Sequence, residues 1–502
     1  MNKFKRKSLC WALAAGFGAI GVAGTASAVH VNPEGTGQVL IYPYYTVRTA
    51  ATPAASGEYN TYLSVVNTTT DYKALKVRFV EGKNSREVLD FNLFLSPKDV
   101  WAAALVPTSD GAKIILNPTN PDKSCTFGVI NVPAGEAFKN GKYSGSAADG
   151  ETASMDRTRE GHFEILEMGI ITDSVLQAAV NHTGGVAPCD GSFSIAGVPY
   201  VHVLTDSDAT LNNYLSAPSG GLFGAASLIN PATGVDYTYD AVALENWRST
   251  SDGTNSESAL PTIASANWGS ADVFMVNGTV ASATYSAGWD MVSGALTRNN
   301  VMNEYVLDTN TKSATDWVVT FPTKRFYLGL DGGSATIAGN VTARPHGAAG
   351  DPFTENFGIG GSCDTVGKAL YDREEQTPAG GGFSGGTTTP LKLCWEANVV
   401  TFNQPSVGGV TTSAILGSIN TANINTTYQN GWLTIGFIQS FNNMGTGTTH
   451  TSGSTFWGLP VVGFMVQDFI NGNLNGVASN YGGNFVHKYQ RSNVCGGLYI
   501  AC

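Results

Sequence analysis

The sequence LKVRFVEGKNSREVLDFNLFL, residues 75–95, decides the fold class of this chain. In its first half, hydrophobic side chains alternate with charged ones: Leu75, Val77 and Phe79 against Lys76 and Arg78. After a polar turn at 82–85 the alternation returns: Leu89, Phe91, Leu93 and Leu95 against Asp90 and Asn92. A period of two residues is typical of a strand with one buried face. Two half-buried strands joined by a short polar turn predict an antiparallel hairpin.

Strand patterns dominate the rest of the chain, and helical patterns are few and short, at 173–180 and 210–215. The predicted fold class is therefore mostly β: one or more antiparallel β-sandwich-like domains with long polar loops and few short helices. The strands between residues 37 and 106 are predicted to form one side of a sandwich.

The first of these strands carries a proline and three tyrosines. Pro43 predicts a sheet edge or a bulge, because proline cannot donate a ladder hydrogen bond. Strict alternation predicts Tyr42 and Tyr44 packed inward and Tyr45 outward. The alternative is a cluster of tyrosines that makes contacts at an interface.

The N-terminal residues predict export. Four basic residues precede an apolar stretch at 9–22, and Ala26-Ser27-Ala28 has the small side chains that a signal peptidase requires. The apolar stretch is short for a membrane span. We predict a signal peptide at 1–28, cleaved after Ala28.

Charge argues against two classes of partner. Removing the four basic residues of the signal peptide leaves 24 basic and 39 acidic residues, a formal net charge of −15. This charge disfavours nucleic acid and anionic membrane surfaces. Charged residues make up 13% of the chain, against about 25% in an average soluble protein. Such a surface suits an extracellular β protein.

Six cysteines remain after cleavage, and an even number in an oxidising compartment predicts disulfides. Sequence alone allows about 15 connectivities. We favour sequential pairs: Cys125 with Cys189, Cys363 with Cys394, and Cys495 with Cys502. The absence of a CxxC pair disfavours a metal cluster.

The length of the chain predicts two or more domains. We place an N-terminal β-rich domain at 29–247 and a C-terminal β-rich domain at 263–502. The polar, serine-rich residues 248–262 are the predicted linker, and the alternative is that both parts pack as one unit.

Two clusters of potential metal ligands stand out. His162 and Glu164, with Glu167 nearby, project from one strand, and the two side chains two apart share a face. These side chains could bind a metal ion. We favour the alternative, in which they lie on a solvated polar face. Asp206 and Asp208 could hold a structural calcium ion, the one cofactor considered, although a helix start capped by Asp208 is favoured.

A similar group of oxygen ligands, Asp308, Asn310 and Asp316, surrounds a predicted loop, where turn chemistry is the favoured explanation. The only G-x-S-x-G match, around Ser384, lies in a glycine-rich stretch and lacks the strand and helix of a nucleophile elbow.

Two glutamates, Glu245 and Glu396, each end an apolar run beside a tryptophan. A pair of carboxylates could cleave a glycosidic bond, and an aromatic ring beside a carboxylate could bind sugar. The alternative is a core tryptophan next to a surface acid. No catalytic residue is assigned on this basis.

Several segments together resemble a family of exported proteins of Gram-negative bacteria, described as hypothetical or cell-surface proteins. The main ones are GQVLIYPYYT at 37–46, MNEYVLD at 302–308 and TDWVVTFPTKRFY at 315–327. The resemblance spans most of the mature chain and implies export and a surface location. It implies no mechanism.

The expected function is that of a structural or adhesive protein of the periplasm or the outer cell surface, and no catalytic activity is inferred. Expected partners are further copies of the chain, the cell envelope or a glycan. The first alternative is a secreted carbohydrate-binding or glycoside-active protein. The second alternative is an outer-membrane β-barrel.

Overall fold

The fold was derived from a computed structural model. It describes residues 28–49, 57–127, 135–145, 148–189, 194–195, 198–199, 211–253, 260–275, 278–328, 336–337, 341–342, 351–353, 355–376, 390–403, 412–437, 452–453, 455–474, 477–491 and 493–494. The predicted signal peptide up to Ser27, the calcium candidates Asp206 and Asp208, Ser384, and the pair Cys495–Cys502 lie outside the described residues.

The largest sheet has eight strands and contains the predicted hairpin. Its strands in spatial order are β1 (His30–Val31), β16 (Val242–Glu245), β2 (Val39–Thr46), β10 (Glu160–Ile171), β4 (Lys73–Glu81), β5 (Glu87–Leu95) and β8 (Cys125–Phe127), and β13 (Leu215–Ser216) pairs with one end of β10. All neighbours are antiparallel, and β4 pairs with β5 as the alternation predicts, with Val77 opposite Phe91.

A six-stranded antiparallel sheet packs against the first. Its strands in spatial order are β15 (Val235–Asp240), β14 (Leu222–Asn230), β3 (Asn60–Asn67), β6 (Val100–Pro107), β7 (Ala112–Ile115) and β9 (Glu136–Ala137). The two sheets share one hydrophobic core, as expected for a sandwich.

The prediction that residues 37–106 form one side of the sandwich is wrong. β2, β4 and β5 belong to the eight-stranded sheet, whereas β3 and β6 belong to the six-stranded sheet. Sandwich connections cross between sheets, and the alternation within a strand marks its buried face but not its sheet.

The C-terminal part contributes two five-stranded sheets. The inner C-terminal sheet comprises β27 (Thr421–Asn425), β26 (Ala397–Asn403), β21 (Ser313–Thr320), β32 (Val462–Leu474) and β33 (Val477–Val486). The outer C-terminal sheet comprises β25 (Leu391–Leu393), β24 (Asp364–Asp372), β28 (Asn430–Gly436), β20 (Asn300–Val306) and β34 (Lys488–Gln490). Only β26 and β27 pair in parallel among these strands.

The two central strands of the inner C-terminal sheet, β21 and β32, are buried on both faces over most of their length. Val318 and Phe464 on one face belong to the core of the sandwich. Trp317 and Met465 on the other face pack with the outer C-terminal sheet. The ring of Phe464 stacks on that of Tyr239, with centroids 4.5 Å apart. The sandwich core is therefore completed by side chains from the C-terminal part.

The remaining elements are short. Three strands form a small sheet, β17 (Ser270–Phe274), β18 (Val280–Thr284) and β29 (Ser452–Gly453), and the others pair as β11 (Ser194–Ile195) with β12 (Val198–Pro199), β19 (Thr297–Arg298) with β31 (Leu459–Pro460), β22 (Thr336–Ile337) with β23 (Val341–Thr342), and β30 (Thr455–Phe456) with β35 (Asn493–Val494).

The two α-helices of the described residues are α1 (Ser174–Val180) and α2 (Gly288–Leu296). Four short 3₁₀ helices accompany them at Gly141–Tyr143, Met155–Arg159, Ile263–Ser265 and Lys324–Phe326. α1 lies where the sequence predicts it, and Asp173 caps its first turn. Among the described residues, no helix has the length and hydrophobicity needed to cross a membrane.

A bulge in β2 explains the positions of its tyrosines. Tyr45 lies opposite Gly161 and Tyr42 opposite Phe163, so Pro43 and Tyr44 face a single residue of β10. The bulge confirms one of the two predictions for Pro43. The prediction that Tyr45 points outward is wrong, because the extra residue shifts the alternation and turns this ring into the core.

Two of the predicted disulfides are confirmed. Cys125 of β8 is bonded to Cys189, which follows α1. Cys363 and Cys394 join the start of β24 to the end of β25.

Candidate functional site

The charged face of the β4–β5 hairpin is buried, so the prediction that these strands are half-buried is wrong. Lys76 is 0% exposed and Arg78 2%. Arg78 bonds Glu164 at 2.9 Å and Glu87 at 3.0 Å. The backbone N–H of Ile263 donates to Glu164 at 2.9 Å, so a segment of the C-terminal part covers this face.

His162 and Glu164 share a face of β10, as predicted, but this face is not solvated. Burial, together with the charges of Arg78 and Arg325, lowers the pKa of His162 to about 3 and keeps the imidazole neutral. Glu164 is held by its guanidinium partner. No group of three or more residues suited to holding a metal ion occurs in the described part of the chain.

Glu167, the third candidate of this cluster, anchors a loop. It accepts hydrogen bonds from Lys73 Nζ at 2.6 Å and from the backbone N–H groups of Ser219 and Gly220 at 3.0 and 2.8 Å. Lys73 Nζ also donates to Ser219 Oγ at 2.9 Å. A lysine ammonium that donates in this way does not act as a base toward that serine.

Glu245 lies on the opposite side of the same loop. An added Cβ on Gly220 would lie 2.6 Å from both carboxylate oxygens of Glu245. Burial, and then the charge of Glu167, raise the pKa of Glu245 to about 7. A general acid needs such a pKa, but the neighbouring Glu167 has all its hydrogen bonds directed at the loop and at Lys73.

Glu396 belongs to a different cluster and is fully buried, so it is not a surface acid. Burial raises its pKa well above the usual range, although the charges of Arg325 and Lys324 oppose the change. The two candidate glutamates therefore do not form a catalytic pair.

The predicted group around Asp308 separates into two environments. Asp308 accepts the backbone N–H of Asn310 at 2.8 Å, which is turn chemistry. Asp316 is buried in β21 and accepts the backbone N–H groups of Ile415 and Leu416 at 2.8 and 2.9 Å.

A residue without a sequence signal, Asp468 of β32, lies near Asp316. Burial and the charge of Asp316 raise the pKa of Asp468 to about 7.

Arg157 is the centre of a buried ion-pair cluster. Its guanidinium bonds both carboxylate oxygens of Glu81 and both of Asp149, and it donates to the carbonyl oxygen of Thr152. All five of its N–H groups are therefore used. The guanidinium also lies over the ring of Tyr143, 4.2 Å from the centroid. This cluster stabilises the fold and leaves no donor for a ligand.

A groove lies on the outer face of the six-stranded sheet. It forms because β7 pairs with only the last part of β6, over Ala104–Pro107, so the remaining edge of β6 is unpaired on that side. The loop that follows β7 closes this edge: Asp122 accepts the backbone N–H groups of Ala102 at 3.1 Å and of Ser124 at 2.9 Å. The space between the strand and the loop is the groove.

Small residues form its floor. Tyr62 and Ile115 lie opposite Ala104 on the two neighbouring strands, so the alanine leaves a notch between two larger side chains. Ala102 extends this floor along β6. The cavity has a volume of about 700 Å³, within the range of small-molecule sites.

The rim supplies polar groups and one aromatic ring. Tyr62 is 44% exposed. The exposed amides of Asn117 and Asn120 and the Lys123 side chain line the loop side. The Asn117 Oδ1 atom already accepts hydrogen bonds from Thr119 and from the backbone N–H of Asn120, so its Nδ2 is the group that it can offer as a donor. A tyrosine ring offers an apolar face with a polar end.

The two acids of the groove serve the fold. Asp99 accepts the backbone N–H groups of Ser96 and Val100 and lies 3.5 Å from His182 Nδ1, and burial raises its pKa. Asp122 closes the strand edge. Both carboxylates therefore accept backbone hydrogen bonds that fix their positions in the groove.

Sequence reasoning missed this groove entirely. The alanines between Val100 and Val106 mark small residues on an exposed strand face, which was the only available signal. The sequence matches no known family model, and neither a curated protein nor a solved structure shows significant similarity to it.

Proposed function

We propose that this protein is an exported adhesive protein that binds a neutral glycan in the groove beside Tyr62. The observation that carries the proposal is the groove itself, with its alanine floor, exposed aromatic ring and rim of amides. The C–H face of a sugar ring packs on an aromatic ring, while its hydroxyls bond amides. A neutral ligand suits a groove that contains acidic and basic side chains in similar number.

Several features support the location. Two disulfides favour an oxidising compartment, and the N-terminal residues have the basic, apolar and small-residue pattern from which a signal peptide is predicted. The resemblance of residues 37–46 to exported proteins of Gram-negative bacteria favours the periplasm or the outer cell surface. At that location, a glycan of the envelope or of another cell would be the partner.

The replacement Ala104→Leu fills the notch between Tyr62 and Ile115 and is expected to weaken glycan binding about tenfold or more, because a sugar ring no longer fits. The measurement is binding of the chain 29–502 to an array of immobilised oligosaccharides. Ala225→Leu is the matched control, since Ala225 lies on the same sheet face, on β14. Tyr62→Ala is expected to weaken binding as well.

Thermal unfolding of each variant separates lost binding from lost folding. The proposal fails if the unmodified chain binds no oligosaccharide, or if Ala104→Leu binds as tightly as Ala225→Leu.

A further inference from the structure

Lys324 and Asp364 form a buried contact between the two C-terminal sheets. Lys324 begins the 3₁₀ helix Lys324–Phe326, which follows β21 of the inner C-terminal sheet, and Asp364 is the first residue of β24 in the outer C-terminal sheet. Lys324 Nζ lies 2.6 Å from Asp364 Oδ2, and the two side chains are 1% and 11% exposed. Bulk water is therefore almost excluded from the contact.

The Lys324 nitrogen lies in a largely apolar environment that fixes its position. The ring centroids of Phe321 and Phe353 are 5.7 and 5.5 Å from Nζ, and both rings are fully buried. Nζ also donates hydrogen bonds to the carbonyl oxygens of Ser362 at 2.5 Å and of Leu393 at 3.3 Å. These contacts hold the nitrogen beside the carboxyl group.

The carboxyl group is poorly supported as an ion. Within the described part of the chain, Asp364 Oδ2 is buried and accepts no hydrogen bond, since the nearby Nζ does not approach it in a hydrogen-bonding direction. Burial raises the pKa of Asp364, although the charge of Lys324 opposes the change. Buried charges are costly unless they are well hydrogen-bonded. Transfer of one proton from the ammonium to the carboxylate removes both charges and leaves an amine beside a carboxylic acid.

We propose that Lys324 and Asp364 are joined by an amide bond, which cross-links the two C-terminal sheets. The lone pair of Nζ attacks the carboxyl carbon Cγ of the neutral acid and forms the C–N bond. The C–OH bond then breaks, and the hydroxyl leaves with a proton from the nitrogen as water. One water molecule is lost, nothing is oxidised or reduced, and no co-reactant is needed. The N–H that remains can still donate to the carbonyl oxygen of Ser362.

A second buried pair shows what distinguishes this contact from an ordinary ion pair. Lys73 Nζ also lies 2.6 Å from a carboxylate oxygen, Glu167 Oε1, and both side chains are 0% exposed. Glu167, however, accepts hydrogen bonds from Lys73 and from the backbone N–H groups of Ser219 and Gly220. Hydrogen bonds to the charged form stabilise the carboxylate. We therefore expect no amide bond at Lys73.

The intact mass of the purified chain 29–502, measured after reduction of its disulfides, tests the proposal. We expect this mass to be lower than that of the sequence by one water molecule. Lys324→Met and Asp364→Ala should each have the full mass of their own sequence, because either change removes a reacting group. Lys73→Met is the matched control and should keep the deficit.

Peptide mapping locates the bond. Trypsin does not cleave after an acylated lysine, so a digest of the unmodified chain should contain a branched peptide that joins Lys324 to Asp364. The unmodified chain decides the result, so the proposal can be tested even if a variant fails to fold. The proposal is independent of glycan binding, because the groove lies on a different sheet.

A full sequence mass for the unmodified chain would overturn the proposal. A deficit that persists in Asp364→Ala would overturn it as well, since the water would then have been lost at another position.

Discussion

Replacing Arg157 by methionine will lower the free energy of unfolding by about 3–5 kcal/mol, the cost of breaking a buried ion pair by removing one partner. The side chain is 1% exposed, and its two acidic partners, Glu81 and Asp149, are 0% exposed. Without the guanidinium, Glu81 would remain buried without its cationic partner and Asp149 would keep only Arg86, 3.6 Å away, or the carboxylates would take up protons. Denaturation in urea at pH 7 measures the change.

Two further variants give this measurement its controls. Arg157→Lys keeps the charge but loses the forked geometry, so we expect an intermediate loss. Arg373 pairs with Glu374 at the surface, where its side chain is 68% exposed, and Arg373→Met should cost about 0.5 kcal/mol or less. A loss at Arg157→Met no larger than that at Arg373→Met would contradict the assigned role of this cluster.

Replacing Asp468 by asparagine will stabilise the protein above pH 7 and leave its stability near pH 4 unchanged. Burial and the charge of Asp316 raise the pKa of Asp468 to about 7, above its value in an unfolded chain. The folded state therefore holds this proton more tightly, so the stability that it contributes is complete below about pH 4 and is lost as the pH rises to 7.

Asparagine removes this ionisation and can still accept the backbone N–H of Ala314, which lies 3.0 Å from Asp468 Oδ1. A pKa shift of this size changes the free energy of unfolding at pH 8 by about 2–4 kcal/mol. The neighbouring Tyr59 and Tyr237 remain neutral throughout this range, because burial raises their pKa values.

Unfolding curves from pH 4 to pH 8 give the comparison, with Asp240→Asn as the control because Asp240 is exposed on β15. If the free energy of unfolding changed with pH in the same way for Asp468→Asn and the unmodified protein, Asp468 would not be the group whose ionisation lowers the stability.

The sequence predicts those features of the fold that depend on neighbouring residues. The alternation in 75–95 predicts the hairpin, and Asp173 marks the start of α1. The disulfides Cys125–Cys189 and Cys363–Cys394 also follow from pairing each cysteine with the next one along the chain.

Features that depend on distant residues could not be predicted in this way. Lys76 and Arg78 look like surface residues, because nothing near them indicates that Ile263, 99 residues beyond Glu164, closes over this face. Tyr45 is misplaced by a bulge whose extra residue only the pairing with β10 reveals.

The groove depends on residues from four separate segments. Its floor comes from β6, one wall from Tyr62, the other wall from a loop fixed by Asp122, and the rest of the lining from His182 and Gly185. None of these residues belongs to a motif, and alanine on an exposed strand has no chemistry of its own. Only the pairing of Tyr62 and Ile115 on either side of Ala104 turns it into a notch.

The inner C-terminal sheet, whose central strands are buried on both faces, also determines when the sandwich core can be completed during biosynthesis. The ring of Tyr239 stacks on Phe464, and the carbonyl of Pro43 accepts a hydrogen bond from Thr320, 277 residues later in the chain. Neither contact can form until the later residue has been synthesised. Contacts so distant in sequence make folding slow. A nascent chain therefore exposes an aromatic surface until synthesis is almost finished, and such a surface favours aggregation before folding is complete.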